Sequence, residues 1–335
     1  MNIAFFEIEP WEKDYFQKEL SSHKLLFFPE PLSADHVEAI KSIDILSVFV
    51  YSQITPMLLS RLPNVRLIVT RSTGTDHIDP VAVKDRSIAV ANVPTYGQHS
   101  VAEHAFALLL ALVKTIVPSV ERTRRGDFTV AGLRGSELFG KTFGVIGDGV
   151  IGRAVVGIAL GFGMRVLVYS RHPDKRREKS GGFTYVSLDD LYGQSDIVSI
   201  HIPETPETHH FINRNSFERM KKGVILLNTA RGGVVDTEAL VWALEQGIVA
   251  AAGLDVLEGE RSLKEERQLI SKNFINAIDV RTQLYNHVLL THPNVIVTPH
   301  NAFNSTEALT TILSKTVENI VSFVSHGTPS FRVTI

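Results

Sequence analysis

The chain has 335 residues, 44% of them hydrophobic and 21% charged, which is typical of a globular protein with two domains. Its formal net charge of −2 argues against a broad surface for nucleic acid or anionic membrane. It has no cysteine, which excludes disulfides, thiolate metal sites and cysteine nucleophiles, and we expect no bound metal. No run of about 18 apolar residues is long enough to cross a bilayer, and the N-terminus predicts a strand rather than a signal peptide. We therefore expect a soluble, cytoplasmic protein.

Short apolar runs alternate with helical patterns along the chain, which is typical of parallel β–α–β units. A helix is predicted over Val101–Val117, and another near Ser305–Ser325. The first of these is apolar around most of its circumference, so it must be buried on several sides. The predicted strands, in chain order, are Ile3–Phe6, Leu46–Val50, Leu67–Thr70, Phe143–Ile146, Arg165–Tyr169, Ile197–His201, Val224–Leu227 and Val295–Val297.

The turn-rich stretch Asn92–Gly97 is the clearest internal boundary. The helix near Ser305–Ser325 comes late enough to pack back on the N-terminal half. We predict an α/β protein of two doubly wound parallel-sheet domains. A Rossmann cofactor domain, residues 99–302, is inserted into a flavodoxin-like substrate domain, residues 1–98 and 303–335.

A glycine-rich loop follows the predicted strand Phe143–Ile146 and precedes a helical pattern. Gly147 permits a tight turn, Gly149 lets a pyrophosphate approach the backbone, and Gly152 lets helix and strand pack closely. The helix start directs unpaired N–H groups and its positive dipole end at the phosphates. Glycine turns are common in α/β proteins, but the strand–turn–helix context favours dinucleotide binding.

Arg231, Glu260 and His300 follow apolar runs in the region where an open α/β sheet places its ligands. Together they suit the reduction of a 2-oxo acid. Arginine matches the carboxylate with a planar fork, histidine protonates the carbonyl oxygen, and glutamate stabilises the imidazolium and fixes its tautomer. Singly, each residue is more often a solvated, capping or buried structural residue. The other histidines, including His209 and His210, are interpreted as structural.

Six motifs occur in the chain in the order found in one family. With them the chain resembles the D-isomer-specific 2-hydroxyacid dehydrogenases, and in particular their D-lactate dehydrogenase-like branch. The motifs are Arg71–Asp79, Asn92–Pro94, Val101–Glu103, Asn228–Gly232, Gly253–Val256 with Glu260, and Thr298–His300.

The resemblance implies a role for each matched residue. His300 is the proton donor, Glu260 its partner, and Arg231 orients the substrate, whose carboxylate is held by the backbone N–H groups of Thr73 and Gly74. Closure of the two domains would exclude water from the hydride path. The resemblance also implies cofactor contacts: Val150 and Ile151 at the pyrophosphate, Ile202, Pro203 and Thr208 at the adenosine, Thr229 and Asp255 at the nicotinamide, and Ala230.

Tyr51, Tyr96 and Phe303 fall where the D-lactate dehydrogenase branch has aromatic residues around a small substrate side chain. The stretch from Arg261 to Pro293 is long, as in that branch, with a second helical segment predicted within it. Reduction of pyruvate to D-lactate is therefore the expected reaction. Alternatively, these aromatic residues are ordinary core packing, and the substrate is glyoxylate, hydroxypyruvate, phenylpyruvate or another 2-oxo acid.

Three related classes of protein are weighed against this interpretation. Formate dehydrogenases resemble the chain but have glutamine at the position of Glu260, and phosphite dehydrogenases have lysine at that of Thr73. The C-terminal-binding-protein corepressors share the fold and the three polar residues but act as nucleotide-gated interaction modules. The near-neutral charge and the absence of disordered tails count against a corepressor, and turnover with pyruvate would discriminate.

NAD-preferring domains of this type end their second strand with an acidic residue that bonds the ribose hydroxyls. That residue also repels a 2′-phosphate. Here the position is Ser170, followed by Arg171 and His172. Serine removes the repulsion, and Arg171 can bind a phosphate through charge-assisted hydrogen bonds. We expect NADP(H) to be favoured over NAD(H); alternatively this is a solvated basic turn and NAD(H) binds without the acid.

The apolar helix Val101–Val117 also predicts an oligomer. Burial against a second copy would cover its surface on several sides, and two-fold dimers are the commonest closed assemblies. We therefore expect a homodimer with this helix in the interface.

Overall fold

The computed structural model describes residues 1–260 and 280–334. The chain divides into two compact units: unit 1 is Met1–Tyr96 with Ser305–Ile335, and unit 2 is Gly97–Asn304. Unit 2 is thus a continuous insertion in unit 1. The observed breaks follow residues 96 and 304, where the sequence predicts breaks after residues 98 and 302.

The strands of the described residues include all eight predicted ones, with ends that differ by at most two residues. In chain order they are β1 (Asn2–Phe6), β2 (Lys24–Phe28), β3 (Ile45–Val48), β4 (Leu67–Thr70), β5 (Ala89–Ala91), β6 (Thr142–Ile146), β7 (Arg165–Tyr169), β8 (Phe183–Tyr185), β9 (Ile197–Ile200), β10 (Val224–Asn228), β11 (Val249–Leu254), β12 (Val295–Val297) and β13 (Arg332–Val333).

Helices alternate with these strands, as the pattern predicts. In chain order the described ones are α1 (Pro10–Glu19), α2 (Pro56–Ser60), α3 (Pro80–Lys84), α4 (Gln98–Val113), α5 (Ile116–Arg124), α6 (Val150–Gly161), α7 (Lys175–Gly181), α8 (Leu188–Gln194), α9 (Arg214–Arg219), α10 (Thr237–Glu245), α11 (Val280–Thr291) and α12 (Thr306–His326).

Unit 1 is built on a sheet of strand order β13-β5-β4-β3-β1-β2, parallel except for β13. The parallel part, β2-β1-β3-β4-β5, has the order of a flavodoxin-like fold. Apolar side chains form a core on each face of the sheet, and α12 contributes Leu313, Ile320 and Phe323 to one of them. The prediction that the late helix packs with the N-terminal half is confirmed.

Unit 2 contains a parallel sheet of order β12-β11-β10-β9-β6-β7-β8. The order reverses between β6 and β9, which is the arrangement of a dinucleotide-binding Rossmann fold. Two apolar clusters cover the two faces of this sheet. Ligands of such sheets bind at the carboxyl ends of the strands, around the reversal. In unit 2 these ends lead into the loops after β6, β7, β9, β10, β11 and β12.

The predicted helix Val101–Val117 is wrong at its C-terminal end. The helix α4 ends at Val113, and Thr115 has a left-handed backbone with φ 50° before α5 begins at Ile116. Most of the apolar residues of α4 are buried within unit 2 itself.

Among the described helices, none is by itself long and apolar enough to span a membrane. The pair α4 and α5, bent by 62°, is long and apolar enough only when the two are taken together. Part of the stretch from Arg261 to Pro293 lies outside the described residues; α11 is its described helix.

Candidate active site

The glycine-rich loop connects β6 to α6 at the reversal of the sheet. Gly147 has φ 98°, and a Cβ there would lie 2.5 Å from the carbonyl oxygen of His201. A Cβ on Gly152 would overlap the carbonyl oxygen of Gly147. Both positions therefore require glycine for close backbone packing.

Gly149 differs, because no atom lies within 4 Å of the position a Cβ would take. It is the N-cap of α6, whose first residues are Val150 and Ile151. Open space in front of a helix N-terminus fits an approaching phosphate. At the carboxyl edge of the same sheet, Thr229 Oγ1 and Asn301 Oδ1 are buried without a hydrogen-bond partner among the described residues. A polar ligand would satisfy both atoms, so these residues fit a bound dinucleotide.

The loop after β9 is held by its own hydrogen bonds. Thr208 is buried, and its Oγ1 donates to the carbonyl oxygen of Pro203 at 2.7 Å and accepts from the N–H of Thr205 at 2.7 Å. Thr208 therefore fixes the shape of the segment that starts with Ile202 and Pro203. Their contact with the adenosine stays a prediction.

The carboxylate of Asp148 lies beside the end of β7, a position that the sequence did not reveal. Ser170 Oγ donates to Asp148 Oδ1 at 2.9 Å and accepts from the N–H of His172 at 3.3 Å. Arg171 and His172 are exposed. Asp148 belongs to the glycine loop, so only the fold brings it beside Ser170, 22 residues away.

The predicted acid and its partner meet in the described structure. His300 Nδ1 lies 2.5 Å from Glu260 Oε1, and the two side chains are 29% and 26% exposed. Because a carboxylate only accepts, Nδ1 carries a proton and donates it to Glu260. Nε2 is then the nitrogen that exchanges a proton with a ligand. His300 has φ 55°, a left-handed conformation that costs a non-glycine residue energy and is typical of functional positions.

Asp255 stabilises this strained loop. Its Oδ1 accepts from Thr298 Oγ1 at 2.6 Å and from the N–H of Asn301 at 3.0 Å, and its Oδ2 accepts from the N–H of Ala302 at 2.9 Å. His104 Nε2, on α4, lies 2.9 Å from Thr298 Oγ1. Asp255, predicted to face the nicotinamide, and His104, predicted to be structural, both belong to the network around the His300 loop.

Arg231 is half-buried and directly follows the Asn228–Ala230 turn at the end of β10. Asn228 shapes this turn, because its Oδ1 accepts from the N–H of Ala230 at 3.0 Å and its Nδ2 donates to the carbonyl oxygen of Arg231 at 2.9 Å. A Cβ on Gly232 would overlap the backbone of Leu257, so the loops carrying Arg231 and Glu260 pack closely. Unit 2 thus places Arg231, Glu260 and His300 after three adjacent strands, β10, β11 and β12.

The predicted carboxylate site of unit 1 follows β4. Thr73 Oγ1 donates to the carbonyl oxygen of Val93 at 2.8 Å, and Asn92 Nδ2 donates to the carbonyl oxygen of Thr73 at 2.7 Å. Within residues 1–260 and 280–334, the backbone N–H groups of Thr73 and Gly74 make no hydrogen bond. Two successive N–H donors of this kind suit an anion.

The predicted aromatic residues lie in different units. Tyr51, which is 43% exposed, and the half-buried Tyr96 belong to unit 1, and the half-buried Phe303 belongs to unit 2. The N–H of Tyr51 donates to Glu7 Oε1 at 2.8 Å. Their role around a substrate side chain stays a prediction.

One group of metal-ligand type occurs among the described residues, formed by His209, His210 and Glu258. The imidazole rings are stacked 4.0 Å apart, and His210 Nε2 lies 2.7 Å from Glu258 Oε1. Stacked rings direct their nitrogen lone pairs side by side rather than toward one point, and Glu258 also accepts from Thr237 Oγ1 at 2.7 Å. These contacts favour a structural interaction.

The sequence pattern described as "D-isomer specific 2-hydroxyacid dehydrogenase, NAD binding domain" matches residues 106–302. A "2-hydroxyacid dehydrogenase homolog 1" from Schizosaccharomyces pombe is 36% identical over 98% of this chain and 97% of its own. The chain belongs to the D-isomer specific 2-hydroxyacid dehydrogenase family. It is an oxidoreductase of the class that acts on the CH–OH group of 2-hydroxy acids.

Two further members of the family cover nearly all of the chain. The D-lactate dehydrogenase of Escherichia coli is 34% identical, over 96% of each chain. The crystal structure of the D-lactate dehydrogenase from Aquifex aeolicus, "complexed with NAD and Lactic acid", has 37% identity and a TM-score of 0.87, and the match covers 100% of this chain and 99% of that one. The resemblance inferred from the six motifs is confirmed at the level of the family and of the fold.

Proposed function

We propose that the protein reduces pyruvate, or a 2-oxo acid of similar size, to the D-2-hydroxy acid. The observation that carries the proposal is the pairing of His300 with Glu260 beside Arg231, at the carboxyl edge of a dinucleotide-binding sheet. The similarity to D-lactate dehydrogenases over the full length supports the choice of pyruvate.

When bound, the reduced nicotinamide cofactor supplies the hydride for the carbonyl carbon. The residues of the chain hold the substrate and supply the proton. Arg231 binds and orients the substrate through its planar cation, and the N–H groups of Thr73 and Gly74 are the proposed hydrogen-bond donors to a carboxylate. His300 Nε2 donates a proton to the carbonyl oxygen, after which the neutral imidazole keeps its Nδ1 proton toward Glu260.

A steady-state panel tests the substrate. Pyruvate, glyoxylate, hydroxypyruvate and phenylpyruvate are compared, each with NADH and with NADPH, and the chirality of the product is determined. We expect the highest kcat/KM with pyruvate and a D product. A higher kcat/KM with another 2-oxo acid would move the assignment to that acid, and turnover close to zero with all four would favour a binding module.

We propose further that NADP(H) is favoured over NAD(H). The support is the serine at position 170 and the exposed guanidinium of Arg171 next to it. Arg171→Ala should raise the KM for NADPH much more than that for NADH, with a difference that shrinks at high salt. Arg176, whose side chain is 96% exposed on α7, provides the matched control, since Arg176→Ala removes the same charge nearby. A wild-type kcat/KM higher with NADH than with NADPH would contradict the preference.

We also propose a homodimer, with the interface around α4 and α5. Within unit 2, a groove between α4 and α6 is lined by Phe106, Leu110 and Ile158. The segment after α4 exposes further large apolar side chains, of a kind that marks an interface. They are Ile116, Val117, Val120, Phe128, Val130 and Phe139.

Sedimentation velocity at micromolar concentration tests the dimer. Wild type should sediment as a dimer, and Val117→Asp should shift it toward the monomer because it places a charge in the apolar contact. Val321, on α12, is exposed to 45% where Val117 is exposed to 43%, so Val321→Asp is a matched control that should leave the dimer intact. A monomeric wild type would refute the dimer.

A further inference from the structure

The position that discriminates between the two nicotinamide cofactors lies at the end of β7. Ser170 occupies it, but its hydroxyl group is already used, because it donates to Asp148 at 2.9 Å and accepts from the N–H of His172. The N–H of Gly147 donates to the carbonyl oxygen of Tyr169 at 2.9 Å, which fixes the start of the glycine loop against the end of β7. A carboxylate is therefore present at this strand end, contributed by the glycine loop instead of the strand.

Besides Ser170, two further elements orient the Asp148 carboxylate. Tyr185, the last residue of β8, donates its hydroxyl to Asp148 Oδ2 at 2.5 Å, and Arg177 on α7 donates to the same oxygen at 3.1 Å. Burial is the largest influence and raises the pKa of Asp148. The hydrogen bonds from Tyr185 and Ser170 and the charges of Arg177 and Arg153 act in the opposite direction, and the pKa lies below its ordinary value. Asp148 is therefore ionised at neutral pH, and Oδ1 retains a lone pair for another donor.

We propose that Asp148 is the specificity-determining acid of the cofactor site, which accepts a ribose hydroxyl and opposes a 2′-phosphate. This inference rests on the proposed dinucleotide site and on the preference proposed above. Arg171 attracts the phosphate and Asp148 repels it, so the balance between these two charges sets the degree of preference. Asp148 moderates the preference for NADP(H), and its removal should make the preference stronger.

Asp148 also connects β7, α7 and β8, so the test has to separate charge from structure. Asp148→Asn removes the charge with little change of shape, and Asp148→Thr removes it with a different shape. Tyr185→Phe is the matched control, since it deletes one hydrogen bond to Asp148 and leaves the carboxylate charged. Asp148→Asn combined with Ser170→Asp restores a carboxylate from the strand.

The measurement is calorimetric binding of ADP-ribose and of 2′-phospho-ADP-ribose to the full-length chain, which does not depend on turnover. In both Asp148 variants, affinity for the phosphorylated ligand relative to the other should rise roughly tenfold, as expected for removing a carboxylate near a phosphate in a partly solvated site. Tyr185→Phe should leave this ratio within about twofold of wild type, and the double variant should return it to wild type or below.

A ratio unchanged by both Asp148 variants would overturn the proposal. So would an equal rise in Tyr185→Phe, because the effect would then come from loop structure. The proposed NADP(H) preference is tested separately by the wild-type affinities. Tighter binding of ADP-ribose than of 2′-phospho-ADP-ribose would refute that preference without affecting the role of Asp148. If wild type bound neither ligand, the proposed dinucleotide site itself would be refuted.

Discussion

The stability of the protein should depend on the protonation of one half-buried histidine, His201, beside the glycine-rich loop. His201 follows β9, its carbonyl oxygen contacts Gly147, and its Nε2 lies 2.8 Å from Ser199 Oγ. Burial lowers the pKa of His201 from 6.5 to about 4. An unfolded chain binds this proton near pH 6.5 and the folded chain only near pH 4, so acid favours unfolding. The stabilising contribution is complete above about pH 6.5, is lost as the pH falls toward 4, and does not change further below that.

The interval from 6.5 to about 4 corresponds to about 3 kcal/mol, at about 1.4 kcal/mol for each pH unit. For a unit of the size of Gly97–Asn304, that is roughly 6–12 °C in Tm. We suggest differential scanning calorimetry from pH 7.5 to 4 on wild type and His201→Gln. Between pH 7.5 and 4, the Tm of His201→Gln should fall less than that of wild type, by this amount. His23, whose Nδ1 lies 3.2 Å from Ser22 Oγ at the surface, offers the control: His23→Gln should have the pH dependence of wild type. Equal pH dependence in wild type and His201→Gln would refute the reasoning.

Three further predictions concern the site. Arg231→Lys keeps the charge but loses the planar fork, so kcat should fall and the KM for the 2-oxo acid rise, with cofactor affinity much less changed; a defect confined to cofactor binding would move Arg231 out of the substrate site. Glu260→Gln removes the carboxylate charge that faces His300 Nδ1, so kcat for reduction should fall, but less than in His300→Gln; an unchanged kcat would show that the pairing does not assist the proton donor. Asp255→Asn should lower kcat about tenfold by loosening the His300 loop, and unchanged kinetics would show that its hydrogen bonds do not position His300.

Much of the fold was predictable because its strands are buried on both faces and appear as continuous apolar runs. The strands missed are the ones for which this signal is weak. β2, β8 and β13 lie at the edges of their sheets, β5 has three residues, and β11, with the sequence VAAAGL, consists mainly of alanine and glycine. The end of α4 was overestimated because Ile116 and Val117 continue its apolar character, while the break depends on the backbone conformation of Thr115.

The proposed catalytic residues were singled out for a different reason, since each follows a strand and each belongs to a motif of the family. Asp148 could not be found in the same way. Its contacts with Ser170, Arg177 and Tyr185 span 22 to 37 residues and depend on how β6, β7 and β8 align. His104 is a similar case, because it joins Thr298 across 194 residues. Its position next to Val101–Glu103, a motif of the family, was the one available signal.

His300 is proposed to supply the proton for reduction of a 2-oxo acid, and a comparison of kcat between wild type and His300→Gln tests this role. Pyruvate reduction by wild type and by His300→Gln is measured at saturating NADH and at saturating NADPH. We expect the wild-type enzyme to reduce pyruvate with at least one cofactor, and kcat to fall roughly 100-fold to 10,000-fold in the variant. A kcat of His300→Gln within a few-fold of the wild-type value would contradict it.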